Sequence, residues 1–393
     1  MDVLTLANKF EQDVITMRRD LHRHPEPSWK ETRTSGIIKK ELEKLGIPFV
    51  PVGETGIVGT IAGTGSAGNG KTIALRADMD ALSVQELNTD LPYCSTIPGF
   101  MHACGHDGHT ASLFGAARIL NELKNTFRGT VKLFFEPAEE VGGSLDTFID
   151  AGQLDGLDGC FGLHIWADVP VGKIVVSPGP KMASTDTFRL TITGKGGHGS
   201  MPHQGVDAMV AACSVIQNLQ TIVSRELSPL EPCVVTVGKL TAGQRFNAIP
   251  DTAVMEGNVR TFNPEICKNY PEIIERIASN TARAFRCEAK LEYKVFGSTP
   301  PVINPPEQAV FAEKVVKKLF GAEAVGEMQP VMGGEDFAAF MQKVPGLYAF
   351  VGAGNPSKDC VYPHHHGKFN IDEDALKTAM SLYAQYALDF LNS

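Results

Sequence analysis

The sequence contains no run of about 18 consecutive apolar residues, so no transmembrane helix is expected. Its opening, MDVLTLANKFEQD, has no basic segment leading into an apolar one, and no secretory signal peptide is read there. Positive charge is in deficit: 36 Lys and Arg stand against 45 Asp and Glu, a formal net charge of −9. That balance argues against nucleic acid or an anionic membrane as the main partner. The eight cysteines, at 94, 104, 160, 213, 233, 267, 287 and 360, include no C-x-x-C pair. In a chain of 393 residues this scatter reads as reduced thiols in a cytoplasm, not as a disulfide framework. Internal repeats and low-complexity tracts are missing too.

What is present is a 43% hydrophobic composition, enough for a sizeable core, over a length that suggests two domains. One stretch, GSAGNGKT at 65–72, fits the phosphate-binding pattern G-x-x-x-x-G-K-[ST]. That pattern works only where a strand enters the loop and a helix leaves it, because the helix N-terminus and the loop amides hold the phosphates. Here TGIVGTIAG precedes the loop and KTIALRADMDAL follows it, both rich in β-branched and apolar residues. The stretch therefore reads as a hairpin turn between two strands, and no nucleotide is expected.

Residues 3–24 and 32–45 read as helices, the second stopped by Gly46. HTASLFGAARILNELKN reads as an amphipathic helix, GTVKLFFEPAEE as a buried strand entering a loop, and GCFGLHIW as another strand. Such alternation predicts an α/β layer, a mixed sheet sandwiched by helices. The pattern shifts near residue 183. TDTFRLTITG alternates Phe188, Leu190 and Ile192 on one face; a helix over roughly 206–226 follows. Strands CVVTVGKL and TAVMEGNVRTF come next, then a helix over about 264–285 and a strand CEAKLEYKV. The order β-α-β-β-α-β is ferredoxin-like. The prediction is one α/β domain of residues 1–182 and 296–393, with an α+β domain of residues 183–295 inserted in it.

The densest group of reactive side chains is MHACGHDGHT. Cys104 and His106 stand two apart and, in an extended segment, point to one side. Thiolate and imidazole both suit a borderline divalent cation. A buried cysteine beside a surface histidine is the plain alternative, weakened by further histidines nearby: His109 on a first helical turn and His102 in support. In FFEPAEE, Glu139 and Glu140 follow a hydrophobic strand. Acidic pairs are commonly solvated, yet open α/β sheets place their sites at the carboxyl ends of strands. His164, in FGLHIW, reads either as a core histidine or as a site residue. His364, His365 and His366, in YPHHHGKF, read either as a surface cluster or as a further contribution. One thiol, several imidazoles and a carboxylate pair at loop and strand ends of one domain make up what a two-metal site needs.

The motifs RRDLHRHPEPSWKE, RADMDAL, MHACGHDGHTA, EPAEE, GLHIW, GKGGHGSMPH, GNVRTF, GGEDFAAF and HHGKFNIDEDAL occur in that order over almost the whole chain. In this the sequence resembles the amidohydrolase branch of the aminoacylase/carboxypeptidase-like binuclear metallohydrolases. That branch includes N-acyl-amino-acid deacetylases, hippurate hydrolases and auxin-conjugate hydrolases. The resemblance implies a zinc-exopeptidase-like catalytic domain with an inserted lid that forms a homodimer. It implies Cys104, His106, Glu140, His164 and His365 as ligands of two divalent metals, zinc or manganese, with cobalt or nickel also tolerated. Cys104 would bridge the two, and Glu139 would be the general base.

His198 would reach a partner subunit's site and stabilise the oxyanion, while Asn247 and Arg260 would grip the substrate carboxylate; for Arg260 a sheet-surface salt bridge is the alternative. Glu335 would support the site. The implied reaction is hydrolysis of an N-acyl amino acid in the cytoplasm. A dipeptidase or aminopeptidase with the same metals, or an inactive metal-binding relative, are the rivals.

Overall fold

The apolar run Thr72–Asp78 becomes the central strand of a seven-stranded mixed sheet in the computed structural model, which describes residues 1–393. The chain begins with helices α1 (Val3–Arg23) and α2 (Thr32–Lys44), then strands β1 (Phe49–Val52), β2 (Gly56–Thr64) and β3 (Thr72–Asp78). Next come α3 (His106–Glu122), β4 (Arg128–Glu136), α4 (Ser144–Asp150), β5 (Gly159–Pro170) and β6 (Ile174–Val175). A second unit follows, with β7 (Thr185–Thr193), β8 (Gly197–His198), α5 (Ala208–Leu219) and β9 (Cys233–Ala242). It continues through β10 (Ala248–Ile249), β11 (Thr252–Thr261), α6 (Pro264–Ala284) and β12 (Glu288–Thr299). The chain then returns with α7 (Pro306–Phe320), β13 (Gly346–Gly354) and α8 (Asp374–Leu391).

The large sheet has the order β1-β2-β4-β3-β5-β13-β6. Its four middle strands β4, β3, β5 and β13 are mutually parallel, and β1, β2 and β6 add antiparallel pairs at the flanks. Parallel strands are covered on both faces, which explains their continuous apolar runs. The sequence pattern made α3 amphipathic, but it is buried nearly all round, because it packs against both α1 and α8. Gly115 permits that approach: a Cβ there would stand 2.7 Å from Val14 Cγ2 and 2.8 Å from Met380 Sδ.

The GSAGNGKT stretch joins β2 to β3, and no helix follows it. The two strands are not a hairpin, however: β4 lies between them, antiparallel to β2 and parallel to β3. The loop instead holds the C-terminus. Asn69 donates its side-chain amide to the carbonyls of Phe390 at 3.0 Å and Ser393 at 3.1 Å. Gly68, at φ +113°, approaches so closely that a Cβ would lie 2.6 Å from the Leu391 carbonyl oxygen.

The second unit is a four-stranded antiparallel sheet, β9-β11-β7-β12, carrying α5 and α6. Phe188, Leu190 and Ile192 of β7 enter its core with Val215 of α5 and Ile274 of α6. The helix expected over 206–226 ends at Leu219, and Ile222–Glu226 forms a π-turn instead. The compact units comprise residues 1–179, 304–329 and 339–393 on one side, and 180–303 with 330–338 on the other. Val331 ties the short returning segment to the second unit: its N–H donates to Lys181 at 2.9 Å, and its carbonyl accepts from Ala183 at 3.2 Å. No helix is long and apolar enough to cross a membrane.

Candidate metal centre

Three parallel strands deliver the candidate residues of the first unit to one end of the sheet. β3 ends at Asp78, with Asp80 just beyond, and β4 ends three residues before Glu139. In register, Arg76 of β3 faces Gly162 of β5, so His164 lies level with the end of β3. The fourth contribution is the N-terminus of α3. Cys104 and His106 converge there, though not in the extended segment that the two-residue spacing suggested. His106 is the first helical residue, and Gly105 between them turns the chain in the left-handed region at φ +92°.

The ligand atoms of Cys104, His106 and His164 lie within 4.8 Å of one another, and so do those of Cys104, Glu140 and His365. The two triads share the Cys104 sulfur. Glu139 joins His106 and Glu140 in a further group of the same span. His106 Nε2 and Glu140 Oε1 are buried without a hydrogen-bond partner. Unsatisfied buried polar atoms are costly, and here they point among thiol, imidazole and carboxylate donors. This chemistry fits two divalent cations of the borderline type.

Two of the loops involved carry backbone in a conformation that non-glycine residues rarely adopt. Ala138, at φ 57°, directly precedes Glu139, and His365 itself sits at φ 64°. Such conformations persist only where surroundings hold them. For Ala138 the holder is the buried Glu31, whose carboxylate accepts the Ala138 N–H at 2.8 Å.

Of the three neighbouring histidines, His365 brings Nε2 to 3.4 Å from Glu140 Oε1. His364 is turned elsewhere: its Nε2 accepts the Ala167 N–H at 3.1 Å and its ring packs on Trp166. His366 stacks on Tyr362 and accepts the Lys368 N–H at 3.0 Å. His109 is occupied as well, donating from Nδ1 to Asp78 at 2.7 Å and accepting the Ile165 N–H at 2.8 Å. That pair of bonds makes it a brace between β3 and β5. His102 is buried with neither ring nitrogen hydrogen-bonded.

Charge in the cluster is finely balanced. Burial pushes the Cys104 thiol well above the ordinary thiol value, and the Glu140 carboxylate adds to that against the pull of His106. For His106 burial opposes charge, but Asp78, Cys104 and Asp80 outweigh it and raise its pKa well above the usual imidazole value. His164 goes the other way, pushed well down by burial and by His109 and His364. Metal ligation needs the Cys104 thiolate and neutral imidazoles, so protonation of the cluster and cation binding are linked.

The sequence assigns no role to the acidic residues of RADMDAL, and their roles emerge here. Asp80 Oδ1 lies 3.1 Å from His106 Nδ1, which leaves Nε2 facing Glu140. Asp107, next to His106, is buried with Arg18 and His22, each 2.8 Å from its Oδ2, and His22 reaches Glu86 at 3.2 Å. This buried group pins the start of α3 to α1. Its members come from distant parts of the sequence, and no local pattern joins them.

The second unit carries the other expected residues. His198 and Asn247 share one exposed two-stranded ribbon, where β8 pairs with β10 and the Gly199 N–H donates to the Asn247 carbonyl at 2.9 Å. Arg260 stands apart from them on β11, half-buried, with its guanidinium on Thr185 Oγ1 at 2.9 Å and the Met332 carbonyl at 2.8 Å. Both acceptors are uncharged, in place of a sheet-surface salt bridge. Burial lowers the Arg260 pKa. Glu335 is buried in this unit, its carboxylate accepting the Phe337 N–H at 2.9 Å.

Residues 74–389 match the model of peptidase family M20/M25/M40. The N-acetylcysteine deacetylase of Bacillus subtilis is 40% identical over 391 residues, covering 99% of this chain and 100% of that protein. Thermostable carboxypeptidase 1 of Saccharolobus solfataricus is 39% identical over 392 residues, covering 98% of this chain and 97% of that protein. Among solved structures, the Bacillus subtilis YXEP protein, described as a dinuclear metal-binding peptidase of family M20, superposes with a TM-score of 0.84. Its sequence is 36% identical, and the match covers 98% of this chain and 99% of that one.

Proposed function

This chain belongs to peptidase family M20/M25/M40 and is a metal-dependent amidohydrolase; we propose that it cleaves the amide bond of N-acyl amino acids, releasing an amino acid and a carboxylate. The observation that carries the reading is a pair of donor triads sharing the Cys104 sulfur, with a second carboxylate, Glu139, beside them. Cys104, His106 and His164 would hold one cation, and Cys104, Glu140 and His365 the other. When bound, such a pair supplies Lewis acidity to the carbonyl and lowers the pKa of water towards neutrality. Zinc or manganese suits this mixed donor set, and cobalt or nickel would be accepted.

Glu139 takes a proton from the attacking water as the new C–O bond forms. It returns that proton to the nitrogen as the C–N bond breaks, so the amine leaves neutral. Asp80 holds the two main-chain amides that aim Glu139 and Glu140. In this reading the second unit is a lid through which the protein forms a homodimer. His198 then donates a hydrogen bond to the oxyanion in the partner's site. Asn247 and the Arg260 guanidinium, which has no carboxylate of its own to pair with, hold the substrate carboxylate. All eight cysteines are unpaired, which supports a reducing compartment such as the cytoplasm.

The relative named N-acetylcysteine deacetylase favours an acyl substrate, and the one named carboxypeptidase favours a peptide. The test is a panel of acetyl-, benzoyl- and succinyl-amino acids beside free dipeptides, assayed with the metal-reconstituted enzyme. Turnover of the acyl compounds is expected. Cleavage of dipeptides alone would replace this reading with a peptidase.

A further inference from the structure

The ribbon that carries His198 and Asn247 carries a third exposed side chain, Phe246. The Ala248 N–H bonds back to the Arg245 carbonyl at 3.3 Å, so Phe246 and Asn247 are the central pair of a tight turn. Phe246 is fully exposed, the most exposed large apolar residue of the chain. The turn is nonetheless held firmly. Ala248 pairs with His198 across the ribbon, and Gly199 lies so close that a Cβ would stand 3.0 Å from the Asn247 main chain. Met201, also exposed, donates its N–H to the His198 carbonyl at 2.8 Å. A fixed tip thus displays imidazole, carboxamide and phenyl ring in that order, all towards water.

We infer that Phe246 is a specificity residue that packs against the amino-acid side chain of the substrate in the partner's site, selecting apolar side chains. The inference rests on the function proposed above and extends it. In an N-acyl amino acid the carbonyl comes first, and the carboxylate and side chain then branch from one carbon. With His198 on the carbonyl oxygen and Asn247 on the carboxylate, the next residue along the tip meets the side chain. A phenyl ring there gains by excluding water from an aliphatic or aromatic group, and offers nothing to glycine or to a charged side chain. The acyl group lies on the other side of His198, away from Phe246. Substrates such as N-acetylphenylalanine and N-acetylleucine should therefore be preferred to N-acetylglycine.

The experiment compares kcat/KM of the full-length, metal-reconstituted dimer and its Phe246→Ala and Phe246→Leu variants on those three compounds and on N-benzoylglycine. Phe246→Ala should lose about tenfold or more on N-acetylphenylalanine, mainly through KM, and less than about twofold on N-acetylglycine. The ratio of N-benzoylglycine to N-acetylglycine should stay as in the wild type. Phe246→Leu should recover most of the preference for N-acetylleucine. Equal losses on every substrate together with loss of the dimer would make Phe246 an interface residue and overturn the inference. A changed benzoyl-to-acetyl ratio would put it beside the acyl group, with the same result. A wild type that hydrolyses these compounds while Phe246→Ala matches it overturns this inference alone, whereas a wild type that hydrolyses none removes the proposed function and the inference with it.

Discussion

Asp80 lies 3.1 Å from the His106 ring with the same carboxylate that accepts the main-chain N–H groups of Glu139 and Glu140, each at 3.2 Å. Ser28 supplies a further bond to it at 2.7 Å. One buried side chain therefore sets an imidazole on α3 and the start of the turn after β4 together. Removing it leaves buried donors unmet, at a cost of roughly 1–3 kcal/mol for each. Asp80→Ala should weaken metal binding about 10–100-fold, as loss of such supporting partners typically does. Metal-competition titration checks this, and unchanged affinity would show that His106 orients itself.

The adjacent acids should separate cleanly. Glu139→Gln is expected to keep both cations yet lose roughly 10²–10⁴-fold in turnover, the usual worth of general acid–base catalysis. Glu140→Gln is expected to lose metal, because its Oε1 is the atom shared with Cys104 and His365. Elemental analysis beside kcat distinguishes them, and identical behaviour of the two variants would refute the division.

Cys104 is the only atom source common to both triads. Cys104→Ala should lower the metal content of both positions, whereas Cys94→Ala and Cys360→Ala should leave it unchanged. A full complement of two cations in Cys104→Ala, measured by mass spectrometry of the metals, would end the bridging role.

Acid stability has a predictable window. Burial pushes His102 from 6.5 down to about 4, so between those values the unfolded chain binds a proton that the folded chain refuses. This contribution to stability is complete above about 6.5 and is lost as pH falls to about 4, a total on the order of a few kcal/mol. Thermal melts of chelator-treated protein should fall across that window, and His102→Gln should flatten the dependence. An equally steep curve in the variant would assign the effect to other groups.

Subunit mixing tests the proposed lid and the proposed homodimer. His198→Ala and Glu139→Gln should each be inactive as homodimers while retaining metal. A mixed dimer holds one site with both residues intact if His198 works in trans, so activity should partly return. No recovery after demonstrated subunit exchange would confine His198 to its own chain.

Much of this architecture was legible from local pattern. The alternation of Phe188, Leu190 and Ile192 marked a half-buried strand, and the order of strands and helices after residue 183 specified the antiparallel β9-β11-β7-β12 sheet. Both signals are short-range, since side-chain periodicity follows from backbone geometry and the need to bury one face. The reactive residues were visible for a related reason: a thiol, imidazoles and paired carboxylates stand out as residue types wherever they fall. What escaped was whatever depends on contacts between distant segments. One local feature escaped as well: the spacing of Cys104 and His106 suggested an extended segment, whereas a left-handed Gly105 and a helix start bring them together.

By itself, then, the sequence determined the kinds of element, their order and the inventory of donor atoms, because each is written in neighbouring residues. Only the tertiary structure decided that β4 separates β2 from β3, that Asp80 binds His106 and the Glu139–Glu140 turn together, and that His365 meets Glu140 while His364 turns to Ala167. These are choices among partners far apart in the chain. They are made where burial forces each polar atom to find a partner and each apolar face to find cover, and no local pattern states which distant group will answer.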